Sequence, residues 1–146
     1  MTAKDYLMQI EKLDRLIQNK LIEVEQWKAI AMGTTSISDG DRVQSSSSQH
    51  KMEDAVCRYI SIEEEINKCI DRFIDIKQEV IHTIEQLPAT EYDLLHKVYI
   101  QRMELNDVAI LFDRTYSWVT TVHGNALKGV QKILDEREKE WQKSST

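Results

Sequence analysis

Met52, Tyr59, Ile66, Phe73, Val80 and Leu87 recur every seven residues, and Ala55, Ile62, Cys69 and Ile76 follow the first four of them at three places' distance. Two turns of an α-helix take about seven residues, so this spacing lays a continuous apolar seam along one side of a long helix and fits no strand. Thr83 is the polar exception in the seam. Val56, Ile70 and Ile84 widen it on one flank, which predicts contact with more than a single narrow partner. From His50 to Gln86 such a helix extends about 55 Å, at the usual rise of about 1.5 Å per residue.

A second seam precedes it. Between Ala3 and Met32, one heptad position holds Ala3, Ile10, Ile17, Val24 and Ala31, and its companion holds Tyr6, Leu13 and Trp27. Lys20 interrupts the companion series, and Leu21 beside it is expected to cover the gap. The stretch from Gly33 to Gln49, which includes TTSISDGDRVQSSSSQ, has no sustained apolar period and reads as a Ser-rich connection. Each long helix alone would leave its seam in water, and burying one such side chain is worth roughly 1.5–3 kcal/mol before ordering costs. The expected result is an antiparallel, coiled-coil-like helical hairpin over residues 1–87, closed within one chain or joined to a second copy as a homodimer.

Pro88 ends the second helix, because the residue before a proline avoids the helical backbone region. Thr90 and Asp93 then have the spacing of a capping box, with Leu94, Leu95, Val98 and Tyr99 as the buried side of the next helix. A pair of shorter helices follows. Leu105, Val108, Ala109 and either Leu111 or Phe112 form the inward face of the first, and Ala109 is small where two helices approach closely. After Asp113-Arg114-Thr115, the second carries Val119, Val122, Ala126, Leu127 and Val130 at intervals of three and four. Asp113 stands where a tight turn needs a left-handed backbone, and Thr115 is a candidate N-cap. Tyr116, Ser117, Thr120 and Thr121 then face outward. This is the spacing of a helix-turn-helix, in which a scaffold helix props a second helix into the DNA major groove.

The segment Leu87 to Val130 resembles region four of bacterial sigma factors and, more widely, the sigma-region-four-like transcription regulators. Leu87-Pro88, Glu91, Leu94, Leu95, Tyr99, Asp107-Val108-Ala109, Thr115, Val119 and Asn125-Ala126-Leu127 carry the likeness. Over its whole length, with the VQSSSSQHKMEDAV stretch before the second long helix, the chain is similar to small phage and prophage proteins with such an end. The resemblance implies that Tyr116, Ser117, Thr120 and Thr121 read bases and that Arg114 and Lys128 hold phosphates. Thr115 caps the reading helix, and Trp118 buttresses it or touches sugar. It also makes RNA polymerase a candidate partner. The expected architecture is all-α: the hairpin, then a helix-turn-helix domain with a charged tail over residues 88–146. The expected function is that of a sequence-specific DNA-binding transcription regulator. The alternatives are a phage DNA-packaging recognition subunit and a helical interaction module that binds no DNA.

Charge qualifies this expectation. The chain carries a formal charge of -6, which opposes nonspecific attraction to a polyanion. Between Pro88 and Leu134, Lys97, Arg102, Arg114, Lys128 and Lys132 are balanced by Glu91, Asp93, Glu104, Asp107 and Asp113. A neutral domain releases few counterions, so one copy should bind weakly and lose binding readily with salt.

Enzymatic chemistry finds no support in the motifs. His50, His82, His96 and His123 are scattered, and no P-loop, nucleophile elbow or HExxH pattern organises them, so no catalytic residue, cofactor or metal site is expected. Cys57 and Cys69 lie too far apart for a CxxC pair and read as reduced thiols, the former exposed and the latter on the apolar seam. No apolar run approaches the roughly 20 residues of a membrane span, and the acidic start MTAKDYLMQIEK does not read as a secretory signal; the expected location is the cytoplasm.

Overall fold

Seven-residue periodicity in the first half and three-and-four spacing in the second favour helix, and every regular element among the described residues is helical. A computed structural model describes residues 1–33 and 46–145. Most of the Ser-rich connection lies outside them. Helix α1 spans Ala3–Ala31, α2 Ser46–Ile84 and α3 Ala89–Leu95. A π-helical turn, His96–Ile100, continues α3 without a break. Helix α4 spans Leu105–Phe112, and α5 runs from Tyr116 to Ser144. No helix among the described residues is long and apolar enough to cross a membrane.

The chain forms two compact units whose limits fall inside the long helices and not at the 87–88 step. One combines Met1–Lys12 with Ile74–Thr146, and the other is Leu13–Phe73.

In the Leu13–Phe73 unit, Val24, Ile62 and Ile66 form a buried cluster against which Trp27 and Tyr59 pack. The contacts run in opposite directions along the two helices. Lys20 Nζ donates to Glu65 Oε2 at 2.7 Å, and Lys28 Nζ reaches Glu63 Oε1 at 3.1 Å. Thus Lys20, out of place in an apolar seam, holds its ammonium at the seam's edge, where hydrogen bonding to Glu65 raises its pKa. Leu21 does not cover the gap. It is exposed, as is Ile70 on the widened flank of α2, and neither joins the Val24–Ile62–Ile66 cluster. The guanidinium of Arg58 lies 5.8 Å from the Trp27 ring centroid, and both cysteines are free, Cys57 exposed and Cys69 half-buried.

The other unit buries the ends of the long helices with the shorter ones. Ala3, Tyr6, Leu7 and Ile10 of α1, with Val80 and Ile84 of α2, are buried, as are Leu94, Leu95, Tyr99, Val108, Ala109, Val119, Ala126 and Val130. Thr83, the polar exception of the second seam, is fully buried yet satisfied: its hydroxyl shares a 2.9 Å hydrogen bond with Tyr6 Oη and lies 2.9 Å from the Glu79 carbonyl. The first residues are tied to α5. The Ala3 backbone N–H donates to Gln131 Oε1 at 2.7 Å, and Gln131 Nε2 donates to the Met1 carbonyl at 3.3 Å.

Helices α3 and α4 both pack on α5. The start of α3 differs from the sequence expectation. Pro88, not Thr90, is the N-cap residue, and no side chain caps the helix. The Tyr92 N–H already bonds the Pro88 carbonyl, which draws Thr90 inside the first turn, while Asp93 accepts from Lys97 Nζ at 2.9 Å. At the other end, Gln101 N–H bonds the His96 carbonyl and Met103 N–H the Lys97 carbonyl, a wide closure with Arg102 left-handed at φ 60°.

Candidate nucleic-acid interface

Helix α4 stops at Phe112 because Asp113 takes a left-handed conformation, φ 53° and ψ 49°, and turns the chain back. An L-residue other than glycine, asparagine or aspartate occupies that region at a cost of roughly 1–2 kcal/mol, so the aspartate is among the few suitable choices. The turn is closed by Arg114 N–H donating to the Ala109 carbonyl at 3.0 Å. Thr115 is then extended, and its Oγ1 accepts from the Trp118 N–H at 3.1 Å. That bond satisfies one of the free amides of the first turn of α5.

Beyond the cap, α5 has two contrasting sides. Val119, Ala126 and Val130 are fully buried. Tyr116, Ser117 and Thr121 are exposed, Thr120 is half-buried, and Lys128 is exposed two turns beyond Thr121. Residues 117, 121 and 128 recur at helical spacing along one outward face, and Asn125, also exposed, falls in the same row. Asn125 is absent from the outward residues inferred from sequence, where Asn125-Ala126-Leu127 enters only as part of the sigma-region-four likeness; its place four residues after Thr121 is the signal that assigns it to this face.

The hydroxyls on this face have a common orientation. Thr120 Oγ1 and Thr121 Oγ1 each donate to the Ser117 carbonyl at 2.9 Å.

Trp118 is half-buried and holds the turn together. Its ring meets Phe112 edge to face at a centroid separation of 6.5 Å, and the Arg114 guanidinium lies 5.0 Å from its centroid. Of the two residues that could complete the inner face of α4, it is therefore Phe112 that turns inward, and Leu111 is 55% exposed. Ile110 is 79% exposed, an outward apolar residue that the spacing does not anticipate. A guanidinium held over an indole by cation–π attraction keeps N–H donors for other acceptors, so Arg114 remains able to bond a phosphate. Arg114, Thr115, Trp118 and Asp113 line a shallow depression at the start of α5.

From behind, α5 is supported through its own His123, which meets Tyr99 of the π-helical turn. Its Nε2 and Tyr99 Oη are 2.8 Å apart, and the two rings stack at 5.7 Å. Burial lowers the histidine pKa, with a smaller contribution from the Lys4 charge, and burial raises that of Tyr99. The pair is thus neutral near pH 7, a packing contact between the π-helical turn and α5.

The eight residues singled out from sequence, Arg114 to Ser117 with Trp118, Thr120, Thr121 and Lys128, accordingly gather at the turn and along the first turns of one helix. Among the described residues no group of three or more histidine, cysteine or acidic side chains could hold a metal ion. No known protein family, curated protein or solved structure gives a match to the chain.

Proposed function

We propose that this protein is a sequence-specific DNA-binding transcription regulator that inserts the start of α5 into the major groove, with α4 and its left-handed turn as the scaffold of a helix-turn-helix. The observation that carries this reading is the division of α5 into a fully buried side and a polar side open to solvent over its first three turns. Tyr116, Ser117, Thr120 and Thr121 are the base-facing residues, and Arg114 and Lys128 hold flanking phosphates. Thr115 orients the first turn, whose free amides favour an anion. The exposure of Thr121 weighs against a helical module that packs this face inside the protein and binds no DNA.

The antiparallel run of contacts between α1 and α2 supports a hairpin, which in this reading serves oligomerisation or a partner such as RNA polymerase. The chemistry is recognition, without bond making. A cytoplasmic, phage-related regulator is the setting proposed; a packaging subunit would use the same groove-reading helix but assemble as a ring of many copies.

Selection from random duplex DNA, with and without RNA polymerase, tests the proposal. Tyr116→Ala and Thr121→Ala should each weaken the selected site by roughly 1–3 kcal/mol while leaving the fold intact. Lys128→Ala should weaken matched and mismatched sites alike and reduce the salt dependence. Equal affinity of all three variants and the wild type would reject the assignment.

A further inference from the structure

The reading face of α5 has a chemical bias that its exposure alone does not reveal. Base edges in the major groove differ in donors and acceptors: adenine offers an N6 amine and an N7 acceptor, cytosine an N4 amine, guanine two acceptors, and thymine an acceptor beside a methyl group. Residues that approach with lone pairs therefore suit the amines and repel guanine.

Thr120 and Thr121 are such residues. Both hydroxyl protons are committed to the Ser117 carbonyl at 2.9 Å, which leaves oxygen lone pairs and the γ-methyl groups as what each side chain can present. A γ-methyl group packs well on the thymine methyl. One turn further along the same face, exposed Asn125 has the paired donor and acceptor that match adenine N7 and N6. The cations that most often read guanine are missing from this stretch. From Tyr116 to Leu127 there is no arginine or lysine, and the nearest guanidinium, that of Arg114, lies over the Trp118 ring before the helix begins.

We infer that the first three turns of α5 select adenine–thymine pairs, with Thr120 and Thr121 accepting from adenine N6 amines, their methyl groups on thymine, and Asn125 bonding adenine on both its groove atoms. This deepens the proposed DNA-binding function and rests on it.

Base analogues in the duplex enriched by selection decide the matter. Purine in place of adenine deletes the 6-amino group, and uracil in place of thymine deletes the methyl. At the positions contacted, each purine substitution should weaken wild-type binding about tenfold, the effect of losing one good base contact. Thr121→Val, which keeps the methyl and loses the oxygen, should abolish the purine effect at one position and retain the uracil effect. Thr121→Ser should do the reverse, and Asn125→Ala should abolish the purine effect at a second position. Thermal unfolding of each variant, expected to match the wild type, establishes that the fold is kept. Enrichment of guanine–cytosine pairs at the contacted positions, or purine effects that survive in Thr121→Val and Asn125→Ala, would overturn this inference while leaving DNA binding standing. Enrichment of no duplex at all would overturn both.

Discussion

Among the described residues two other than glycine have positive φ, Arg102 and Asp113, and each ends a helix where glycine would be at ease. Arg102→Gly should raise stability by about 0.5–1 kcal/mol, measured by chemical denaturation, since release of backbone strain outweighs the added freedom of the unfolded chain, and Asp113→Gly should gain less because aspartate tolerates the left-handed region. An unchanged or lower midpoint would show that the side chains supply more than the backbone conformation costs. The two positions also differ in how far they could be anticipated. Asp113 is legible because aspartate between two amphipathic segments is a recognised turn residue, whereas an arginine carries no local preference for a left-handed backbone. Likewise the Thr115 cap follows from its hydroxyl and place in the chain, while the Tyr99–His123 bond joins residues far apart and could not be read from spacing. That bond has a consequence with pH. Burial lowers the folded-state pKa of His123 below its ordinary value of about 6.5, so the unfolded chain takes up the proton first as pH falls. The neutral contact contributes fully above that value and is lost progressively below it. The Tm advantage of wild type over His123→Gln should shrink between about pH 7 and pH 5, and an advantage independent of pH would refute the linkage.

At the level of elements, the two glycines of α5 have opposite surroundings. A Cβ at Gly124 would meet nothing within 4 Å, whereas one at Gly129 would come within 2.8 Å of Leu87 Cδ2. Gly124→Ala should therefore stabilise the protein by up to about 1 kcal/mol, the helix-propensity difference, and Gly129→Ala should gain less or lose stability because Leu87 must shift. Equal gains in Tm for the two variants would contradict this close approach. The long helices were readable because a repeat sustained over many turns excludes other structures. The beginning of α3 was not, since Pro88 already supplies the N-cap position and two overlapping start signals, the proline and the Thr90–Asp93 pair, compete within three residues. The π-helical turn after α3 has no sequence signature at all, although Leu94, Leu95 and Tyr99 are all buried beside or within it.

For the molecule as a whole, the division into units departs from the simple order of segments along the chain. A boundary between residues 87 and 88 is what composition and Pro88 suggest, yet Met1–Lys12 and Ile74–Ile84 belong with the helices that follow. Periodicity assigns residues to a helix face but does not say which neighbour covers each length of it. The candidate site, by contrast, was legible because it is local, confined to a turn and one helix. A fragment comprising residues 88–146 should consequently lose the backing supplied by Tyr6, Leu7, Ile10, Val80 and Ile84. It should show reduced helicity by circular dichroism and no cooperative thermal transition; a sharp transition like that of the full chain would indicate that those residues are dispensable.

Gln131 grips the backbone of both Met1 and Ala3. During synthesis Ala3 leaves the ribosome long before the glutamine that anchors it, and it must wait in an unfinished state until the 128th residue after it has been added. Translation order and assembly order are thus opposed, and a disturbance of the backbone at Met1–Ala3 would be felt at Gln131, in the helix carrying the polar face.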